Sequence, residues 1–296
     1  MKNKIRRLLK EKNAVLLAHN YEPSEIQDIA DLCGDSLELS IKAAQTDADV
    51  IVFCGVHFMA ETASILCPDK TVLLPKKDAG CPMADMVTPD ALKQKLAELG
   101  SMPVVTYVNS PASVKALSTV CCTSANVVDI ANKIDKHEML MVPDRNLAGY
   151  AAKHTSKKIH LWEGWCPIHD RLTPEHIKKA KQAHPDALFI AHPECRPEAL
   201  ELADEIASTS GMIRFTKQSS HKSFIIGTEI GLLYPLKQAS PDKEFFPASQ
   251  IMECPDMKKI TLEDVAASLE FMQGEVKVPK HIQIPALKAV KQMIDG

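Results

Sequence analysis

The sequence has no C-x-x-C pair anywhere among its 296 residues. It has no apolar run of membrane-spanning length either. The longest, 49–59, falls well below the roughly 20 residues that a spanning helix needs. It has no excess of basic charge: 35 Lys and Arg stand against 38 Asp and Glu, for a formal net charge of −3. The first absence argues against zinc ribbons and ferredoxin-like clusters, whose ligands crowd together in sequence. The second argues against a membrane protein, and the third leaves no footprint for nucleic acid. The opening MKNKIRRLLKEKN is basic but lacks the apolar stretch of a signal peptide, so a cytoplasmic protein is expected.

What is present is ordinary globular composition, 45% hydrophobic and 25% charged. A chain of this length buries a sizeable core without disulfides. Nine cysteines, an odd number, are expected to stay unpaired in a reducing compartment. Most free cysteines act as small buried hydrophobes, as Cys54 within IVFCG should. Any functional subset must stand out by position.

A threefold repeat supplies such a subset. Each copy opens on an apolar strand that ends in polar residues: AVLLAHNY (14–21), VVTYVNS (104–110) and LFIAHPE (188–194). A helical segment and a polar corner follow: GDS (34–36), CTSAN (122–126) and ASTSG (207–211). Then come a second strand, a second helix, a third strand, and a Cys-Pro pair: Cys81-Pro82, Cys166-Pro167 and Cys254-Pro255. The cysteines stand 85 and 88 residues apart. Seven residues after each is a threonine, Thr88, Thr173 or Thr261, placed to cap a helix. Strands alternating with helices imply parallel sheets. The expected fold is α/β, with three homologous three-layer α/β/α repeats carrying small parallel sheets around a pseudo-threefold axis. The repeats are assigned to 1–82, 83–167 and 168–254, with 255–296 a helical tail that packs back on the body.

Ligands of open parallel sheets bind beyond the carboxyl ends of the strands. Three constellations lie there. Cys81, Cys166 and Cys254 suit a soft metal. Three thiolates from distant loops can hold three irons of a 4Fe–4S cluster and leave the fourth open as a Lewis acid. The strand ends offer His19, Asn20 and Tyr21, then Tyr107 and Asn109, then His192 and Glu194. The corners offer Asp35 and Ser36, Thr123 and Ser124, and Ser208 and Thr209, where helix N-termini can receive anionic groups. In the corner STSG (208–211), Ser210 is a further candidate beside Thr209. Two other readings fit less of the pattern. One is a three-thiolate zinc enzyme with His169 as a further ligand. The other is a metal-free module that grips a phosphorylated metabolite.

At these residues the chain resembles the quinolinate synthases, of the type without an N-terminal extension. The resemblance covers nearly the whole chain and rests on LAHNY (17–21), FMAET (58–62), CPM (81–83), YVNS (107–110), TSAN (123–126), PDRNLAGY (143–150), CPIH (166–169), HPEC (192–195) and GTEIG (227–231). It implies a condensing and dehydrating enzyme of NAD biosynthesis, of transferase or lyase type. Such an enzyme joins iminoaspartate to dihydroxyacetone phosphate, giving quinolinate, phosphate and water. It implies a 4Fe–4S cluster on Cys81, Cys166 and Cys254. Substrate contacts fall on His19, Ser36, Tyr107, Asn109, Ser124, His192, Glu194 and Thr209, and acid–base roles on Tyr21 and Glu194. It also implies small-molecule substrates, with transient channelling from an aspartate-oxidising enzyme, and no nucleic acid or membrane partner.

Overall fold

The computed structural model describes residues 1–295. The first repeat carries β1 (Ala14–His19), β2 (Leu32–Gly34), β3 (Val50–Cys54) and β4 (Thr71–Leu73). The second carries β5 (Val104–Tyr107), β6 (Val120–Cys122), β7 (Glu138–Val142) and β8 (Lys158–Leu161). The third carries β9 (Leu188–Ala191), β10 (Glu205–Ile206), β11 (Ser223–Gly227) and β12 (Glu244–Pro247). Among the described residues, every pairing between these strands is parallel. The order is the same in each sheet: β2-β1-β3-β4, β6-β5-β7-β8 and β10-β9-β11-β12. Helices flank the sheets, so the expected three α/β/α repeats are present.

The central strands explain why these sheets are parallel. β3 is buried along its whole length, and β1 is buried from its second residue onward. Continuous apolar strands need cover on both faces, which crossover helices provide. Each fully buried Leu, Ile or Phe, such as Leu16, Ile51 or Phe224, contributes about 1.5–3 kcal/mol.

Two sequence expectations need correction. The pattern suggested three strands per repeat, and there are four. The extra strands β2, β6 and β10 are only two or three residues long and merge into the polar corners. They are too short to show a period, and their place comes from the ladder to β1, β5 or β9 rather than from their own propensity. The corner hydroxyls were also expected to open helices in all three copies. Ser36–Gln45 and Thr209–Gln218 begin there, but the second helix starts later, at Val127. Asn126 accepts the Thr123 N–H at 2.8 Å and holds Ser124 in a turn ahead of the helix.

The threonine-capped helices link the repeats. Pro89–Leu99 precedes β5 and Pro174–Ala183 precedes β9, as Lys2–Glu11 precedes β1. The third capped helix, Leu262–Phe271, packs against Lys2–Glu11 and closes the circle, with Lys4 paired to Glu270 at 2.6 Å. The helix Lys280–Asp295 lies against His57–Leu66, Ala112–Lys115 and β6. Among the described residues no helix is long and apolar enough to cross a membrane.

Candidate active site

The carboxyl ends of the three sheets face a shared cavity of about 210 Å³. The twelve residues to which the resemblance assigned roles line it: His19, Tyr21, Ser36, Cys81, Tyr107, Asn109, Ser124, Cys166, His192, Glu194, Thr209 and Cys254; of the other candidates Asp35 and Thr123 line it too, and Asn20, Ser208 and Ser210 do not. The ambiguity in the third corner is resolved by geometry. Thr209 faces the cavity and accepts a hydrogen bond from Asn20 Nδ2 at 3.0 Å. Ser208 caps the helix, and Ser210 turns away to Glu38.

Three of the nine cysteines line the cavity, one from each repeat. Each is followed by a 3-10 turn: Ala84–Met86, His169–Arg171 or Asp256–Lys258. Backbone N–H groups of these turns reach the sulfurs, from Ala84 and Met83 to Cys81, from His169 to Cys166, and from Met257 and Asp256 to Cys254. Burial pushes all three thiols up, Cys81 to about 12. A bare thiolate is therefore disfavoured, and a metal replacing the proton would restore balance. Convergent soft donors already supplied with N–H partners suit an iron–sulfur group.

Glu194 is the centre of the polar side. Its Oε2 lies 2.9 Å from His169 Nδ1 and 3.2 Å from His192 Nδ1. Burial alone would raise this carboxyl, but His169 and His192 outweigh it and hold Glu194 below the ordinary carboxylate range. His192 Nε2 is 3.2 Å from Ser124 Oγ. His169 Nε2 is 2.8 Å from Thr228 Oγ1, which meets the Tyr21 hydroxyl at 2.5 Å. A continuous chain thus runs from Tyr21 through Thr228, His169, Glu194 and His192 to Ser124. Burial and the Glu194 charge push the phenols of Tyr21 and Tyr107 well above 10, so both keep their protons. Burial, with Lys258 and His192, lowers His19 to about 3, leaving it neutral. Two buried acceptors, Glu194 Oε1 and Asn109 Oδ1, have no partner. Such orphans mark a place where a ligand or water belongs.

Sequence reasoning undervalued three residues. His169 was weighed only as a zinc ligand, because CPIH occurs in one repeat and has no counterpart. Thr228 lies in GTEIG, but nothing local shows its hydroxyl reaching Tyr21. Arg171 brings a cationic side chain to the rim. Cys166, His169 and Glu194 also form a compact group of donors, all within 4.8 Å of one another.

A family model described as quinolinate synthetase A protein matches residues 3–295. A protein named quinolinate synthase from Geobacter sp. (strain M21) is 59% identical over 99% of this chain and 97% of its own length. One of the same name from Thermodesulfovibrio yellowstonii is 55% identical, over 97% of this chain and 95% of its own. Another from Methanosarcina barkeri is 53% identical, over 98% and 96%.

Proposed function

This chain belongs to the quinolinate synthase family, and from that premise we propose that it condenses iminoaspartate with dihydroxyacetone phosphate, using a 4Fe–4S cluster held by Cys81, Cys166 and Cys254. Iminoaspartate brings the nitrogen, two ring carbons and two carboxylates. The triose phosphate brings the other three ring carbons, and phosphate and water leave. When bound, the cluster supplies an open iron that polarises a substrate oxygen.

The remaining chemistry falls to side chains. Glu194 is ionised, and its free Oε1 is the base that takes a proton from a substrate C–H or hydroxyl. Tyr21 keeps its proton and reaches Glu194 through Thr228 and His169, so a proton can be returned to a departing group. Ser36, Ser124, Thr209, Asn109 and His19 offer neutral hydrogen-bonding groups to carboxylates and phosphate, as Tyr107 and His192 also do. The helix N-termini at Ser36 and Thr209 add favourable dipoles. Three repeats with boundaries near 82, 167 and 254 would each contribute one cysteine loop and one strand end. An imine hydrolyses in water, which favours direct transfer from an aspartate-oxidising enzyme. Nine unpaired cysteines suit a reducing cytoplasm.

The observation that carries the reading is three cysteines from three repeats lining one cavity opposite an ionised, half-unpartnered Glu194. Its test is iron and acid-labile sulfide per chain after anaerobic reconstitution. About four of each are expected, lost on replacing Cys81, Cys166 or Cys254 but kept when Cys54 is replaced. The Cys166, His169 and Glu194 group favours a second reading, a single divalent ion. One zinc per chain that survives Cys81→Ser and Cys254→Ser would establish that reading instead.

A further inference from the structure

Each cysteine loop is attached in the same way to the first residue of the helical segment that follows β3, β7 or β11. His57 N–H donates to Ala79 O at 2.8 Å, Arg145 to Gly164 O at 2.8 Å, and Ile230 to Met252 O at 2.9 Å. Each acceptor lies two residues before a cysteine. The residues just before these donors occupy one position of the repeat, and they differ: Val56, Asp144 and Glu229.

In the second and third repeats this residue is a buried acid that uses both oxygens. Asp144 Oδ1 accepts the Leu147 N–H at 2.8 Å, and Oδ2 accepts the Cys166 N–H at 3.0 Å. Glu229 Oε2 accepts the Gly231 N–H at 2.7 Å, and Oε1 accepts the Cys254 N–H at 3.0 Å. Lys258 adds an ion pair to Glu229 at 2.8 Å. The backbone is shaped to fit. A Cβ on Gly164 would meet Pro143 O at 2.3 Å, and one on Gly231 would meet Glu229 Oε2 at 2.7 Å. The Val56 side chain offers no acceptor, and the first loop is held instead from the turn just after Cys254, by Asp256 Oδ1 on the Gly80 N–H at 3.2 Å.

We propose that Asp144 and Glu229 are positioning residues that aim the Cys166 and Cys254 sulfurs at the metal. Burying a carboxylate is costly, and a backbone N–H could be satisfied by a neutral group. Holding a cysteine N–H restrains the direction of its Cα–Cβ bond and so limits Sγ to the few rotamers about that bond. Groups that orient metal ligands typically change metal affinity 10–100-fold when replaced. The inference rests on the cluster reading above.

The test uses full-length protein reconstituted anaerobically, with the rate of iron release to a ferrous chelator as readout. Asp144→Asn and Glu229→Gln each keep one good acceptor and lose the other. Both should release iron about 10–100-fold faster than the unaltered chain, and Asp144→Ala faster still than Asp144→Asn. The control is Asp204→Asn, whose carboxylate accepts the Phe189 N–H at 2.7 Å at the far end of β9. It should lower the melting temperature and leave iron release unchanged. If all three conservative variants release iron at the unaltered rate, or all accelerate together with the loss of stability, the positioning role is overturned while the cluster stands. Loss of folding in both Asp144→Asn and Glu229→Gln would make them structural residues and also overturn it. An unaltered chain that takes up no iron would sink the cluster reading, and this proposal with it.

Discussion

The two ends of the three sheets make an instructive contrast. At the amino ends one contact is repeated: Asp31 accepts the Leu16 N–H at 2.8 Å, Thr119 the Val104 N–H at 3.0 Å, and Asp204 the Phe189 N–H at 2.7 Å. Three copies do the same job with nearly the same side chain. At the carboxyl ends the copies part company. The first strands run out into His19, Tyr107 and His192, and the residue just before the helical segment that meets the cysteine loop is Val56, Asp144 or Glu229. Apart from the three cysteines, which recur in register and line the cavity, sameness among repeats marks architecture and difference marks chemistry, because one substrate cannot be met by three identical walls.

Substitutions can break or sharpen that contrast. The largest effect is expected from Glu194→Gln, which removes the charge at the centre of the polar chain. Turnover should fall by about 10²–10⁴-fold, with iron content unchanged. Near-normal steady-state rates would show that the carboxyl end does not do its chemistry through this residue. Tyr21→Phe removes the hydroxyl that meets Thr228. It should lower kcat by about 10²-fold and stability by only about 1 kcal/mol. An unchanged kcat would place the phenol outside the proton path. At the amino end, Asp31→Ala should do the reverse. It orphans the Leu16 N–H and costs about 1–3 kcal/mol in denaturant unfolding, while kcat and KM hold. A change in KM there would blur the division between the two ends.

The smallest effect lies at the seam between the first two repeats. Lys115 is fully buried, and its Nζ donates to Thr62 Oγ1 at 2.9 Å and Phe58 O at 3.3 Å. Burial, opposed by Glu61, lowers its pKa from 10.5 to about 8. Between those values the unfolded chain binds more protons than the folded one, so this residue makes stability rise with pH from about 8 toward 10.5. The unfolding free energy of Lys115→Met should lack that rise, and parallel profiles for the two proteins would refute the assignment.

The repeat, the Cys-Pro register and the strand-end residues were legible because each occurs three times, and repetition makes a faint pattern readable. What sequence left hidden occurs once or acts at a distance. His169 has no counterpart in the other repeats. The bond from Asp144 to Cys166 spans 22 residues and exists only because β7 and β8 lie side by side. The strands β2, β6 and β10 were missed because two or three residues carry no period. The delayed start of the helix at Val127 goes with Asn126 Oδ1, which accepts both the N–H and the hydroxyl of Thr123.

The packing of Leu262–Phe271 on Lys2–Glu11 has a consequence for the order of assembly. Each sheet joins strands from one stretch of chain, so each repeat can gather itself from nearby partners as synthesis proceeds. The ring can shut only when its final helices have been made. Closing so long a loop adds little entropy, since each doubling of length costs only about 0.6 kcal/mol, but it comes last. Cys254 arrives just ahead of that closing segment, so a chain made only through its second repeat presents two of the three cysteines and no enclosed cavity. Synthesis through Leu262–Phe271 thereby becomes the condition for a closed cavity lined by all three cysteines.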